Sequence, residues 1–506
     1  MKISPNLLRR GAIATVAVGL LGLAITNTMP RGPATAIQAV IVMITSLVVG
    51  YSAGWMLRSP WAMALAPLTY TLAIEVGRFP IIGPTVDELR LNETFGILAL
   101  ILGRGFHGLV GVLPMILGAY WGWVIVRSGA SHKVPLIQTV RAGNQYAIGA
   151  TLGFSILAFL ILLPATTPAI LNANGKPLSG SIASLEKVRL GGHEQWIMLR
   201  GHSTDKPVLL YLSGGPGQSD LPFVRVLLND LTQNFVVVGW DQRGTGKSYS
   251  ALDPTETLTL DRAVSDTIEL TNYLRQRFDE EKIYLLGESW GSTLGVLAVQ
   301  RQPQLYHAWI GSGQMVSQRE TDRRIYQDLL ALAVQTNDAS LAAKLRAYRE
   351  PPYKDIPYAN AFVMGQYDRL SKPYTPPQSY IQRGTEANLG PWGIWGSEYN
   401  LVEKVNVLRG LIDMFSMMYP QLQAIDFRQT VKQLEVPVYM LDGAAELSAR
   451  RDLALEWFEQ LKAPLKQRFT FENAGHSVVF EQFEAFSQIM QETILTKTYS
   501  NSGGAE

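Results

Sequence analysis

The sequence predicts an α/β fold, a mostly parallel sheet carrying a helical cap insertion, preceded by an all-α transmembrane region of about five helices. Three observations carry this. Long apolar runs crowd into residues 1–170, short strand-like segments alternate with helical patterns after about residue 180, and the alternation is interrupted between about 316 and 430. Alternating strands and helices pack as a parallel sheet with helices on its faces.

The 506 residues exceed one ordinary core and suggest two to four domains. Charged residues make up 17% and apolar residues 47%, with the charge concentrated after about residue 180. The net charge of +2, without a basic block interleaved with aromatics, offers no case for nucleic acid. The chain has no cysteine, which excludes thiol catalysis, disulfides and cysteine-ligated metals.

Taken in order, the apolar runs span Ala12–Thr26 and roughly 34–57, 61–77, 95–126 and 146–165. Crossing the hydrocarbon core takes about 20 apolar residues, so the count is five spans and the predicted partner is a lipid bilayer. Lys2, Arg9 and Arg10 before the first run resemble a signal-peptide start, but the runs that follow argue against cleavage. Arg104, His107 and several glycines interrupt 95–126, which reads as a short or re-entrant piece followed by a span near Leu109–Val126. Arg104 and His107 mark either an intramembrane polar site or packing at an interface. Trp55, Trp61, Tyr120, Trp121 and Trp123 sit where an interfacial aromatic belt is expected.

With the N-terminus in the cytoplasm, inner loops carry Lys2, Arg9, Arg10, Arg58, Arg127, Lys133 and Arg141. Outer loops carry Arg31, Arg78 and Arg90, with Asp87, Glu88 and Glu93 balancing the last two. The bias favours N-terminus in, and five spans then place the rest of the chain outside the cytoplasm.

Beyond a Pro/Asn/Gly/Ser-rich linker at Pro164–Ser181, strands are expected at Ile182–Leu190, Gln195–Arg200, Val208–Leu212, Phe235–Trp240, Ile283–Leu286, Ala308–Gly311, Val436–Leu441 and Arg468–Phe471. Leu260–Phe278 has helical spacing, with Ala263, Thr267, Leu270 and Leu274 on one stripe. The predicted organisation is a transmembrane region at 1–166, a linker at 167–182, and a core at 183–315 and 431–498. A helical cap at 316–430 divides the core, and 499–506 form a tail.

Chemistry enters at Gly287-Glu288-Ser289-Trp290-Gly291, after the strand-like Ile283–Leu286. Gly-x-Ser-x-Gly turns a strand sharply into a helix and exposes the serine hydroxyl as a nucleophile. Acyl transfer then needs a base, an orienting acid and oxyanion donors. His476 follows a predicted strand and comes after the serine; His107 and His132 fall in the membrane half, and His193, His202 and His307 lie before the position expected for the base. For the acid, the strand ending near Leu441 is followed by Asp442 and Glu446. Glu446 is preferred for its reach, Asp442 is the alternative, and Asp452 lies too far on. Oxyanion donors are expected from the backbone N–H of Trp290 and from Ser213-Gly214-Gly215-Pro216-Gly217, where adjacent glycines allow close approach.

Together, Ser213–Gly217, Asp241-Gln242-Arg243-Gly244-Thr245-Gly246-Lys247-Ser248 and Gly287–Ser292 resemble the proline iminopeptidase-like (peptidase S33-like) branch of the α/β-hydrolase fold, over roughly residues 183–495. The resemblance implies a Ser289–Glu446–His476 triad, an oxyanion hole at Gly214, Gly215 and Trp290, a helical cap, and no metal or organic cofactor. It departs from the branch in opening its glycine loop with Ser213 rather than His and in supplying Glu446 rather than Asp. Trp392, Trp395 and Glu398 look similar to a cluster that holds a substrate's amino terminus; packing within the cap is the other reading. In the Asp241–Ser248 string, Arg243 and Asp241 are expected to pair and fix a loop beside the site.

The expected activity is hydrolysis of small peptides or amides by a membrane-anchored aminopeptidase. Two alternatives are an esterase acting on membrane-proximal esters, and a non-catalytic sensor or transporter with a hydrolase-like binding domain.

Overall fold

The computed structural model describes residues 5–87, 89–129 and 136–499. Lys2, Glu88, His132, Lys133 and the tail from residue 500 therefore lie outside the described residues. Two compact units form: Met1–Pro164 with Asn400–Arg409, and Ala165–Tyr399 with Gly410–Glu506.

In the first unit, helices run over Pro5–Thr28, Ala36–Leu57, Ala62–Gly77, a continuous stretch from Thr94, and Leu136–Leu162. Four helices are long and apolar enough to cross a membrane: Leu8–Thr28, Ala36–Leu57, Thr94–Arg127 and Gln145–Leu162. Ala62–Gly77 is shorter. Thr35 starts the second helix with a capping box, its hydroxyl taking the Gln38 N–H while the Gln38 side chain takes the N–H of Thr35.

The expected break within 95–126 is absent. The helix continues through two widened π turns at Ile101–Gly105 and Gly108–Val112. The glycines of this helix admit neighbours rather than end it. A side chain at Gly118 or Gly122 would overlap the carbonyls of Leu47 or Tyr51, and one at Gly50 or Gly54 those of Met115 or Ala119. Two small-xxx-small ridges thus face each other, the device by which apolar helices gain close van der Waals contact.

Several polar side chains of this unit turn inward. Arg104 pairs with Glu75 (2.8 Å) and donates to the Val86 carbonyl. His107 lies between Tyr70 Oη (3.1 Å) and Arg78 (2.8 Å). Arg31 and Arg78, read from sequence as loop charges, are buried and donate to the carbonyls of Ile82 and Pro30. Arg409 donates to the carbonyls of Leu102 and Pro33.

The second unit is an eight-stranded sheet in the order β1-β2-β4-β3-β5-β6-β7-β8. Its strands are β1 Ile182–Leu190, β2 His193–Gly201, β3 Val208–Leu212, β4 Val236–Asp241, β5 Ile283–Glu288, β6 Tyr306–Ser312, β7 Val438–Gly443 and β8 Lys466–Phe471. β1–β2 and β2–β4 are antiparallel and the remaining pairs parallel. Strands β3, β4, β5 and β7 are buried along their whole length, as continuous apolar runs covered on both faces require. Edge strand β8 instead alternates exposed and half-buried positions. Helix Leu260–Phe278 buries Thr267, Leu270 and Leu274, while Ala263 lies at the margin of its stripe. Between β6 and β7 the chain makes a run of helices from Gln318 to Thr430.

Candidate active site

Ser289, Glu446, His476 and the Ser213–Gly217 loop each follow the carboxyl end of a strand, where ligands bind in open parallel sheets. β5 ends at Glu288, and the next residue, Ser289, takes φ 53° and ψ −117° before helix Trp290–Arg301 begins. Positive φ at a non-glycine residue stores about 1–3 kcal/mol and persists only where its surroundings impose it. Here the Ser289 N–H is held by the Ser312 carbonyl (3.0 Å), and its own carbonyl accepts the Ser292 hydroxyl (2.6 Å). A side chain at Gly291 would overlap the carbonyl of Leu212, and one at Gly287 that of Gly291, which is why glycine frames the serine.

His476 stands in the loop after β8 and Glu446 in the turn after β7, and the Glu446 carboxylate takes the His476 Nδ1 hydrogen bond. Burial alone would raise the Glu446 pKa. The charges of His476 and Arg450, the His476 hydrogen bond and the Leu447 N–H outweigh it and bring it down to about 2. Asp442 is engaged elsewhere, with Arg468 at 2.7 and 2.9 Å and the Thr470 hydroxyl at 3.2 Å. Asp452 is half-exposed beside Arg451.

The Ser213–Gly217 loop follows β3, and a Cβ on Gly214 would lie 3.4 Å from the Cβ of Ser289. Gln242 links loop and nucleophile segment, accepting from Trp290 Nε1 (2.9 Å) and donating to the Ser213 carbonyl (3.3 Å). The expected Arg243–Asp241 pair does not form. Arg243 binds Asp266 (2.9 Å), whereas Asp241 takes the Lys247 N–H (2.8 Å) and the Tyr399 hydroxyl (3.0 Å). Asp241 closes its own loop, and the longer guanidinium reaches the neighbouring helix.

Trp392 and Trp395 are each about half exposed, but Glu398 is fully buried in an ion pair with Arg225. Its charge is already met, and the three side chains do not form one open cluster. Among the described residues, no three His, Asp or Glu side chains converge as metal ligands.

Sequence reading missed several contributors. Gly313, just past β6 at φ 52°, leaves room for the base: a Cβ there would lie 2.9 Å from His476 Cε1. Glu481 accepts the Gly475 N–H (2.7 Å) and the Tyr374 hydroxyl (3.0 Å), holding the histidine loop. Glu288, visible inside the pentapeptide, is buried and meets Tyr211 and Asp220. Burial and the Asp220 charge push its pKa up to about 7.

A family model described as alpha/beta hydrolase fold matches residues 207–483, more than half of the chain. The chain is 29% identical over 315 residues to the probable aminopeptidase YbaC of Bacillus subtilis (strain 168), covering 62% of this chain and 97% of that protein. It is 25% identical over 315 residues to the proline iminopeptidase of Lactobacillus helveticus (strain DPC 4571), covering 60% and 96%. Among solved structures, a proline iminopeptidase-related protein of Thermus thermophilus matches with a TM-score of 0.43 and 22% identity, over 63% of this chain and 98% of that one.

Proposed function

The chain belongs to the alpha/beta hydrolase fold family, and on that premise we propose that it is a membrane-anchored serine hydrolase that removes the amino-terminal residue from small peptides. The observation that carries this reading is the Glu446 carboxylate on Nδ1 of His476, which leaves Nε2 as the base for a serine on a positive-φ elbow. Ser289 attacks the scissile carbonyl and His476 takes its proton. Glu446 holds the imidazole in the required tautomer and stabilises the imidazolium. The oxyanion is received by backbone N–H groups of Trp290 and of the Gly214–Gly215 loop. His476 then protonates the leaving amine, and water releases the acyl group from Ser289.

Peptide substrates are favoured by the aminopeptidase and iminopeptidase relatives. Trp392 and Trp395 are assigned to the border of the substrate's path, and Glu398 to bracing that segment through Arg225. Membrane-proximal esters are the second reading, favoured by the four long apolar helices.

For the membrane region we take those four helices and Ala62–Gly77 as five spans. On that count the bias of basic residues in the loops favours an N-terminus in the cytoplasm and a hydrolase unit outside it. Sixteen residues of helix measure about 24 Å, short of a core of about 30 Å, a mismatch that local bilayer thinning accommodates.

The test is labelling of the full chain in detergent with a fluorophosphonate probe, beside turnover of amino-terminal proline amides and acyl esters. Labelling that disappears in Ser289→Ala is expected, and no labelling of folded wild type would sink the enzyme. Ester turnover without amide turnover would move the reading to an esterase. A C-terminal tag protected from protease in intact cells would overturn the outside placement.

A further inference from the structure

Beside Ser289, His476 and Glu446 lies a pair of acids that the proposed mechanism does not use. Asp220 and Glu288 are 1% and 3% exposed. Tyr211 Oη, on β3, stands 3.0 Å from Oδ2 of Asp220 and 2.8 Å from Oε2 of Glu288. A phenol carries one proton and donates one hydrogen bond. Both contacts can be full two-centre hydrogen bonds only if one of the carboxyls keeps a proton and donates it to Oη.

The surroundings favour that arrangement. Glu288 faces Asp220, Tyr211, Ser477, His476 and Tyr380. Asp220 faces Glu288, Tyr211, Gln218, Ser213, the Gly214 N–H and Tyr399. Of these groups only His476 can carry a positive charge. Two carboxylates sharing one buried site resist double ionisation, and burial raises the pKa of both acids, that of Glu288 to about 7.

Each acid also holds one part of the site. Glu288 immediately precedes Ser289 and lies beside Ser477, the residue after His476. Asp220 accepts from Gln218 (2.8 Å), just after the glycine loop.

We propose that Asp220 and Glu288 share a single proton through Tyr211, and that the singly protonated pair is a positioning device keeping Ser289 and the Gly214–Gly215 loop in register. When the proton leaves to solvent, two negative charges face one phenol, one of the two bridging bonds is lost, and elbow and loop are no longer tied together. The effect on rate rests on reading Ser289 as the nucleophile; the shared proton does not.

Two measurements on the full chain in detergent test this. The first is infrared difference spectroscopy on a Ser289→Ala background, from mildly acidic to alkaline buffer. A carbonyl band of a buried protonated carboxyl is expected at neutral pH and should vanish on the alkaline side. It should also be lost in Glu288→Gln and in Asp220→Asn, where the amide N–H replaces the shared proton and the remaining acid ionises. Having two variants keeps the test alive if one fails to fold. A band missing from the parent, or persisting in both variants, overturns the proposal.

The second is the pH profile of kcat/KM. Wild type should fall by about tenfold per pH unit above the pair's ionisation, and either amide variant should lose that limb. A wild-type limb retained in Glu288→Gln overturns the positioning role. Failure of serine labelling would remove the nucleophile reading and leave the infrared result standing; normal labelling without the carboxyl band removes only the shared proton.

Discussion

The two units use the same side chains in opposite directions. In the first, Leu20, Ile37, Val48 and Leu72 are more than half exposed, while Ser46, Arg78 and His107 are buried. In the second, Val208–Leu212 and Ile283–Leu286 are buried throughout, and lysines such as Lys187 stand half-exposed. The difference teaches which force holds each unit together. The sheet unit gains by removing apolar area from water. The helical unit leaves apolar area outside and coheres through glycine-mediated backbone approach and arginine side chains that satisfy backbone carbonyls in a π turn and a loop.

The largest expected effect isolates chemistry to one unit. Ser289→Ala should lower kcat by at least about ten-thousand-fold while the helical unit extracts and folds as in wild type. Residual turnover close to wild type, measured with the best substrate of the panel, would separate the activity from this site.

Next come the two carboxylates of the sheet unit. Glu446→Gln should cost about a thousand- to ten-thousand-fold in kcat, and Asp442→Asn only a few-fold, because Asp442 is paired with Arg468. Equal losses would move the acid role. Glu446 also carries a pH signature. Its folded pKa is lowered from 4.5 to about 2, so its stabilising contribution is complete above the unfolded value and is lost as pH falls from about 4.5 to about 2. Acid denaturation of Glu446→Gln should lack that share of the loss.

A matched pair of leucines probes the comparison directly. Leu210→Ala, fully buried in β3, should destabilise the sheet unit by about 2–5 kcal/mol in denaturant titrations. Leu72→Ala, facing outward, should cost within about 0.5 kcal/mol in detergent. Similar costs at both positions would mean that Leu72 is covered by protein. Between these, Gly54→Leu should cost at least about 1–3 kcal/mol, since its Cβ has no room beside Ala119. Unchanged thermal stability in detergent would break the close-packing account.

Much of the sheet is legible in the sequence because its signals are local. Val208–Leu212 and Ile283–Leu286 are uninterrupted apolar runs, and the sequence bounds Ile182–Leu190 at the limits the strand has. Where boundaries differ, as at Val438–Gly443 against an expected Val436–Leu441, the ladder with the neighbouring strands sets the limits and no side-chain pattern marks them. The glycines of 95–126 mislead because glycine has two uses, ending a helix or letting another backbone approach. Only a neighbour decides between them. Arg243 misleads for a similar reason: its partner Asp266 lies 23 residues along the chain, on a helix that only packing brings near.

By itself the sequence determined the alternation that makes a parallel sheet, the glycine-framed Ser289 at a strand end, the order serine, acid, histidine, and the apolar length of the helices. These follow from periodicity, turn chemistry and residue size, which are properties of neighbours in the chain. Tertiary structure alone decided which carboxylate meets His476, that Arg225 occupies Glu398, that Gly313 opens space for the imidazole, and that one phenol bridges Asp220 and Glu288. Hydrogen bonds and burial depend on distances between residues far apart in sequence, and those distances exist only once the strands have paired and the helices have packed.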